Sequence, residues 1–152
     1  MSNDALVRMV TQDLPNNCVS ACLSMITGFD LARVTDEFHN GYHGGEVCMH
    51  GYLNLIGIKF NKFYSGPSCT LKRGFVYMLA VPSLNYVGGL HEIIVDFSGE
   101  TPSIFDPAPN DKNRYTEFGE PGSGGLCSWA IDAEIPAEEL ADWRRSHEAP
   151  TV

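Results

Sequence analysis

Cys18 follows the polar run Asp13-Leu14-Pro15-Asn16-Asn17 and opens a stretch, 18–27, in which Val19, Cys22, Leu23 and Ile26 recur at spacings of three and four. That spacing predicts a helix with a core-facing stripe, capped by Asn16 or Asn17 at its start and by Gly28 at its end. A thiol at a helix start meets unpaired backbone N–H groups and the positive end of the helix dipole, which favour the thiolate and hence a nucleophile. Gln12, six residues earlier and across a proline-containing loop, is placed to fold its amide back beside the helix start. There it would serve as an oxyanion donor with the Cys18 backbone N–H. Cys22 lies one turn on, on the same face, where it is expected in the core.

A thiol nucleophile needs a base. His91 opens the apolar run His91-Glu92-Ile93-Ile94-Val95, and Phe97-Ser98-Gly99-Glu100-Thr101-Pro102 turns the chain back toward Ser103-Ile104-Phe105-Asp106-Pro107. The pattern predicts a β-hairpin. A two-residue turn at Ser98-Gly99 sets Asp106 directly opposite His91, and a turn two residues longer makes them diagonal neighbours on the same face. Only a register shifted by one separates them. Asp96, an odd number of residues from His91, points to the other face. Asp106 is therefore the expected orienter of the imidazole, completing a nucleophile, base and orienter set.

These residues resemble a family. Gln12, the run Cys18-Val19-Ser20-Ala21-Cys22-Leu23-Ser24-Met25-Ile26, the strand His91-Glu92-Ile93-Ile94-Val95 and Phe105-Asp106-Pro107-Ala108 are similar to papain-like cysteine peptidases that process double-glycine leader peptides of bacteriocins. The similarity runs from Gln12 to Ala108. It implies an oxyanion donor, nucleophile, base and orienter at Gln12, Cys18, His91 and Asp106, and a cysteine hydrolase cleaving a peptide or isopeptide bond. Two features depart from that pattern. Val19 stands where the family usually has glycine, and the membrane transporter commonly fused to leader-processing members has no counterpart here. Related papain-like folds also host deamidases, transferases and silent binding or inhibitor proteins, which are the alternative readings.

The elements that must position these groups follow an α+β order. Asp30 is expected to cap a second helix reaching Phe38. Residues 39–46, with three glycines and two histidines, read as a loop, and 47–56 as a third helix ended by Gly57. Strands are expected at 58–64, 75–81, 91–97 and 103–105, forming one antiparallel sheet under the N-terminal helices. Residues 117–125 read as a glycine-rich loop, and 137–145, after Pro136, as a C-terminal helix. Trp129 and Trp143 are expected to pack rather than to form a binding platform.

With 152 residues, 43% of them hydrophobic, the chain fits one domain with its own core, taken as 1–152. Acidic residues outnumber basic ones 19 to 10, a net charge of −9, which disfavours nucleic acid and anionic membranes and fits a substrate with a basic segment. No stretch reads as a membrane span or secretory signal. Five cysteines, an odd number, fit free thiols in a reducing, cytoplasmic setting. Cys18, Cys22, Cys48 and His50, with His39 and His43 nearby, contain no CxxC pair, so no metal is expected. Gly88-Gly89 and Gly122-Ser123-Gly124-Gly125 lack the lysine of a phosphate loop, so no cofactor is expected either.

Overall fold

The computed structural model describes residues 6–62 and 70–147. Among these residues five α-helices and four strands follow in the order α1 (Cys18–Thr27), α2 (Leu31–Val34), a π-helical turn (Thr35–His39), α3 (Asn40–His43), α4 (Met49–Ile56), β1 (Phe75–Pro82), β2 (Leu90–Phe97), β3 (Ser103–Phe105), β4 (Ala130–Pro136) and α5 (Ala137–His147). The strands form one antiparallel sheet in the order β3-β2-β1-β4. The molecule is thus a mixed α+β structure, and no helix among the described residues is long and apolar enough to cross a membrane.

Strands buried on both faces need apolar residues at odd and even positions alike, and β1 and β2 supply them. On one face Val76, Met78, Ile94, Ala133 and Ile135 pack against α1 (Leu23, Ile26), α2 and the π-turn (Val34, Phe38), α4 (Tyr52, Leu53) and α5 (Leu140, Trp143). On the other, Tyr77, Leu79, Val81, Ile93, Val95 and Ile131 pack against Tyr115 and Leu126, from the long segment after β3. Trp143 is buried and its indole N–H donates to the Ile56 carbonyl at 2.7 Å. Trp129 packs at the edge of the second core. Both tryptophans are packing residues.

Helix α1 ends as expected, with Gly28 at φ 78° returning its N–H to the Ser24 carbonyl. Its start differs. Asn17 holds the N-cap position but makes no cap bond; its Oδ1 accepts from Leu14 N–H and its Nδ2 donates to Asp13. The side chain ties down the loop before the helix and does not cap the helix's first N–H groups.

The helical segment after Asp30 runs past Phe38, through the π-turn and on to His43, so residues 39–43 are helix rather than loop. Gly41 is there for close packing. A Cβ on it would stand 2.9 Å from Val47 Cγ1. Helix α4 starts at Met49 rather than 47, because Cys48 takes the cap position and its sulfur accepts from Gly51 N–H. The strand expected at 58–64 reduces to a single bridge between Asn61 and Glu134, and its last two residues lie outside the described ones.

Strand β4 was not anticipated. It pairs with β1 through a bulge: Met78 faces Ala133 while Leu79 faces Ile131, which leaves Asp132 as the extra residue. The bulge breaks simple alternation, sending Ile131 into one core and Ala133 with Ile135 into the other.

Candidate active site

The hairpin register sets His91 against Asp106. Ile94 faces Phe105, Val95 faces Ile104 and Asp96 faces Ser103, so the connection is two residues longer than a turn at Ser98-Gly99 alone. His91 and Asp106 are diagonal neighbours on one face, and His91 Nε2 lies 2.6 Å from Asp106 Oδ1. Asp106 is buried and fully engaged. Oδ1 also accepts from Ala108 N–H at 2.9 Å, and Oδ2 from Tyr115 N–H at 2.8 Å. Two backbone donors fix the carboxylate, and the carboxylate fixes the ring.

With Nε2 committed to Asp106, His91 has Nδ1 left for Cys18, whose thiol is coupled to the ring. Burial alone would push the Cys18 thiol up; the His91 bond, the Glu92 and Val19 backbone N–H groups and the imidazole charge outweigh it and hold the thiol below its ordinary pKa. Burial likewise disfavours an imidazolium at His91, yet its bonds to Asp106 and Cys18 and the charges of both raise its pKa to about 9. The two shifts favour the same microstate, a thiolate beside an imidazolium. Cys22, fully buried one turn deeper, is pushed well above the ordinary thiol range by its burial and by the surrounding acids, and is a core thiol.

Gln12 reaches the same cleft from the N-terminal segment. Its backbone N–H donates to the Pro107 carbonyl at 2.8 Å, stitching it to the chain just after Asp106. One amide hydrogen on Nε2 is held by the Leu14 carbonyl at 2.7 Å. A primary amide has two, and the second meets no acceptor among the described residues. The side-chain oxygen, Oε1, is buried with no hydrogen-bond partner.

Gln12, Cys18 and His91 share a cleft of about 960 Å³ whose walls include Leu14, Tyr42, Tyr86 and Leu90. Tyr86 and Leu90 are largely exposed and flank the Gly88-Gly89 turn. Asp96, on the opposite face from His91, is buried elsewhere and accepts from Leu6 and Val7 N–H. The other histidines have separate partners: His39 meets Ser20 Oγ, His43 the Asn16 carbonyl, His50 the Asp132 carbonyl and His147 the Trp143 carbonyl. Among the described residues no three His, Cys, Asp or Glu side chains are placed to hold a metal ion.

Two cleft residues escaped the sequence reading. Glu92, next to His91, is buried against Asp132, the bulge residue of β4. The signal for β4 was present as the alternation Ile131, Ala133, Ile135 before Pro136, but the bulge that aims Asp132 leaves no mark in a residue pattern.

The cleft therefore holds an imidazole backed by a buried carboxylate and, beside it, a thiol at the start of a helix. Compared with known proteins, the chain matches no family model, no curated protein and no solved structure. Function must be argued from this geometry.

Proposed function

We propose that the protein is a papain-like cysteine hydrolase, a peptidase that cleaves an amide bond by acyl transfer. The observation that carries the reading is the His91–Asp106 hydrogen bond with the Cys18 thiol coupled to that ring in a substrate-sized cleft. A nucleophile at the start of a helix packed on an antiparallel sheet, with the base at the start of a neighbouring strand, fits the papain-like resemblance of the sequence.

The chemistry follows from the roles. Cys18 thiolate attacks the carbonyl carbon, and the carbonyl oxygen becomes an oxyanion held by Gln12 Nε2–H and the Cys18 N–H. His91 gives its Nδ1 proton to the departing amine as the C–N bond breaks, leaving a thioester on Cys18. Water then attacks that thioester, losing a proton to His91. The acid product leaves and the thiolate–imidazolium pair is restored. Asp106 keeps the ring oriented throughout.

The test is a degenerate peptide library incubated with wild-type protein and with Cys18→Ala, read by mass spectrometry. New peptide termini with wild type and none with the variant are the expected result. Equal cleavage by both overturns the nucleophile. A mass gain of one dalton without new termini replaces peptidase by deamidase.

A further inference from the structure

Beside the proposed nucleophile the cleft wall carries an acidic feature that the acyl-transfer chemistry does not use. Glu92 and Asp132 stand on strands separated by β1, and the residue facing Glu92 on β1 is Ala80. Neighbouring strands are about 4.8 Å apart, so two carboxyls meet across a central strand only if the intervening side chain is small. A methyl group at Ala80 permits it, and the β4 bulge turns Asp132 toward the same spot. Glu92, Asp132 and Ala80 all line the cleft shared by Cys18 and His91.

The pair is costly as it stands. Glu92 is 5% exposed and its Oε2 has no hydrogen-bond partner. Its burial, the Asp132 charge and bond and the Cys18 sulfur all raise its pKa well above the ordinary carboxyl range. The other groups around it are the Cys22 thiol and the Tyr42 phenol; His50, which also lines the cleft, bonds the Asp132 backbone carbonyl, and the Asp132 side chain is partly exposed there. A buried, unpartnered carboxyl oxygen beside a second acid is relieved by a cation that pairs with both carboxylates.

We infer that Glu92 and Asp132 form a subsite beside Cys18 that takes one cationic side chain, an arginine or lysine of the substrate. The inference gives the proposed hydrolase its substrate class and rests on that reading only for the word substrate. The subsite itself exists whether or not Cys18 is a nucleophile.

The probe pair is N-acetyl-arginine amide and N-acetyl-citrulline amide, equal in shape and differing in charge, titrated by calorimetry into the full chain. Wild type and Cys18→Ala are expected to bind the arginine derivative about tenfold more tightly. Asp132→Asn and Glu92→Gln should bring the two derivatives within about threefold, while Glu100→Gln, which removes one exposed charge far along the hairpin, should keep the preference. Asp132 is partly exposed, so its variant tests the inference even if Glu92→Gln fails to fold. Equal binding of the two derivatives by wild type, or an arginine preference that survives Asp132→Asn, overturns the subsite. An arginine preference in a protein that cleaves no peptide supports the subsite and removes the hydrolase reading alone.

Discussion

At the scale of single residues, Asp106 is the most heavily committed side chain of the site. It accepts from the His91 ring and from two backbone N–H groups while 3% exposed, so Asp106→Ala strands three donors at once. We expect that variant to lose about 3–5 kcal/mol of stability and the His91 pKa to fall from about 9 toward the ordinary value near ~6.5. The pH dependence has a definite sign. A histidine whose pKa is raised by folding contributes stability that is fully present below about 6.5 and is lost as pH rises through about 9. The stability gap between wild type and Asp106→Ala should therefore narrow between pH 6 and 10. Urea unfolding across that range and NMR titration of the His91 ring check both statements; an unchanged His91 pKa in the variant contradicts them.

At the scale of elements, the groups with a local signal were legible and those that depend on packing were not. Cys18 could be placed because a stripe at helical spacing begins there. His91 and Asp106 could be put on one face because strand parity survives a two-residue change in turn length, and the longer turn is what the hairpin adopts. Asn17 was readable as a boundary residue but not as a loop tie, since both uses employ the same side-chain amide. The glycines at 39–46 misled for a comparable reason: Gly41 answers a steric demand from Val47, distant in no pattern but in the fold. That demand is testable. Gly41→Ala should cost about 1–3 kcal/mol by forcing Val47 aside, and Val47→Ala in the same chain should recover part of the loss. A double-mutant cycle with no coupling would show that the contact carries no such constraint.

At the scale of the whole molecule, the site exists only where three layers meet. The helical layer contributes Cys18, the start of β2 contributes His91, and the segment beyond β3 contributes Asp106 and anchors Gln12 through the Pro107 carbonyl. The two cores on either side of the sheet hold those layers in place, so the low thiol pKa belongs to the fold and not to the local sequence. The direct measurement is the rate of Cys18 alkylation by iodoacetamide against pH, with the adduct located by peptide mapping, in native protein, in His91→Ala and in urea. Native protein should reach half its maximal rate below the ordinary thiol pKa of about 8.5. The urea-unfolded chain should return to that value, and His91→Ala should exceed it, because burial then acts on the thiol with its main opposing partner removed. One common midpoint in all three, or a Cys18 inert until the chain unfolds, would contradict the thiolate–imidazolium pair on which the proposed function stands.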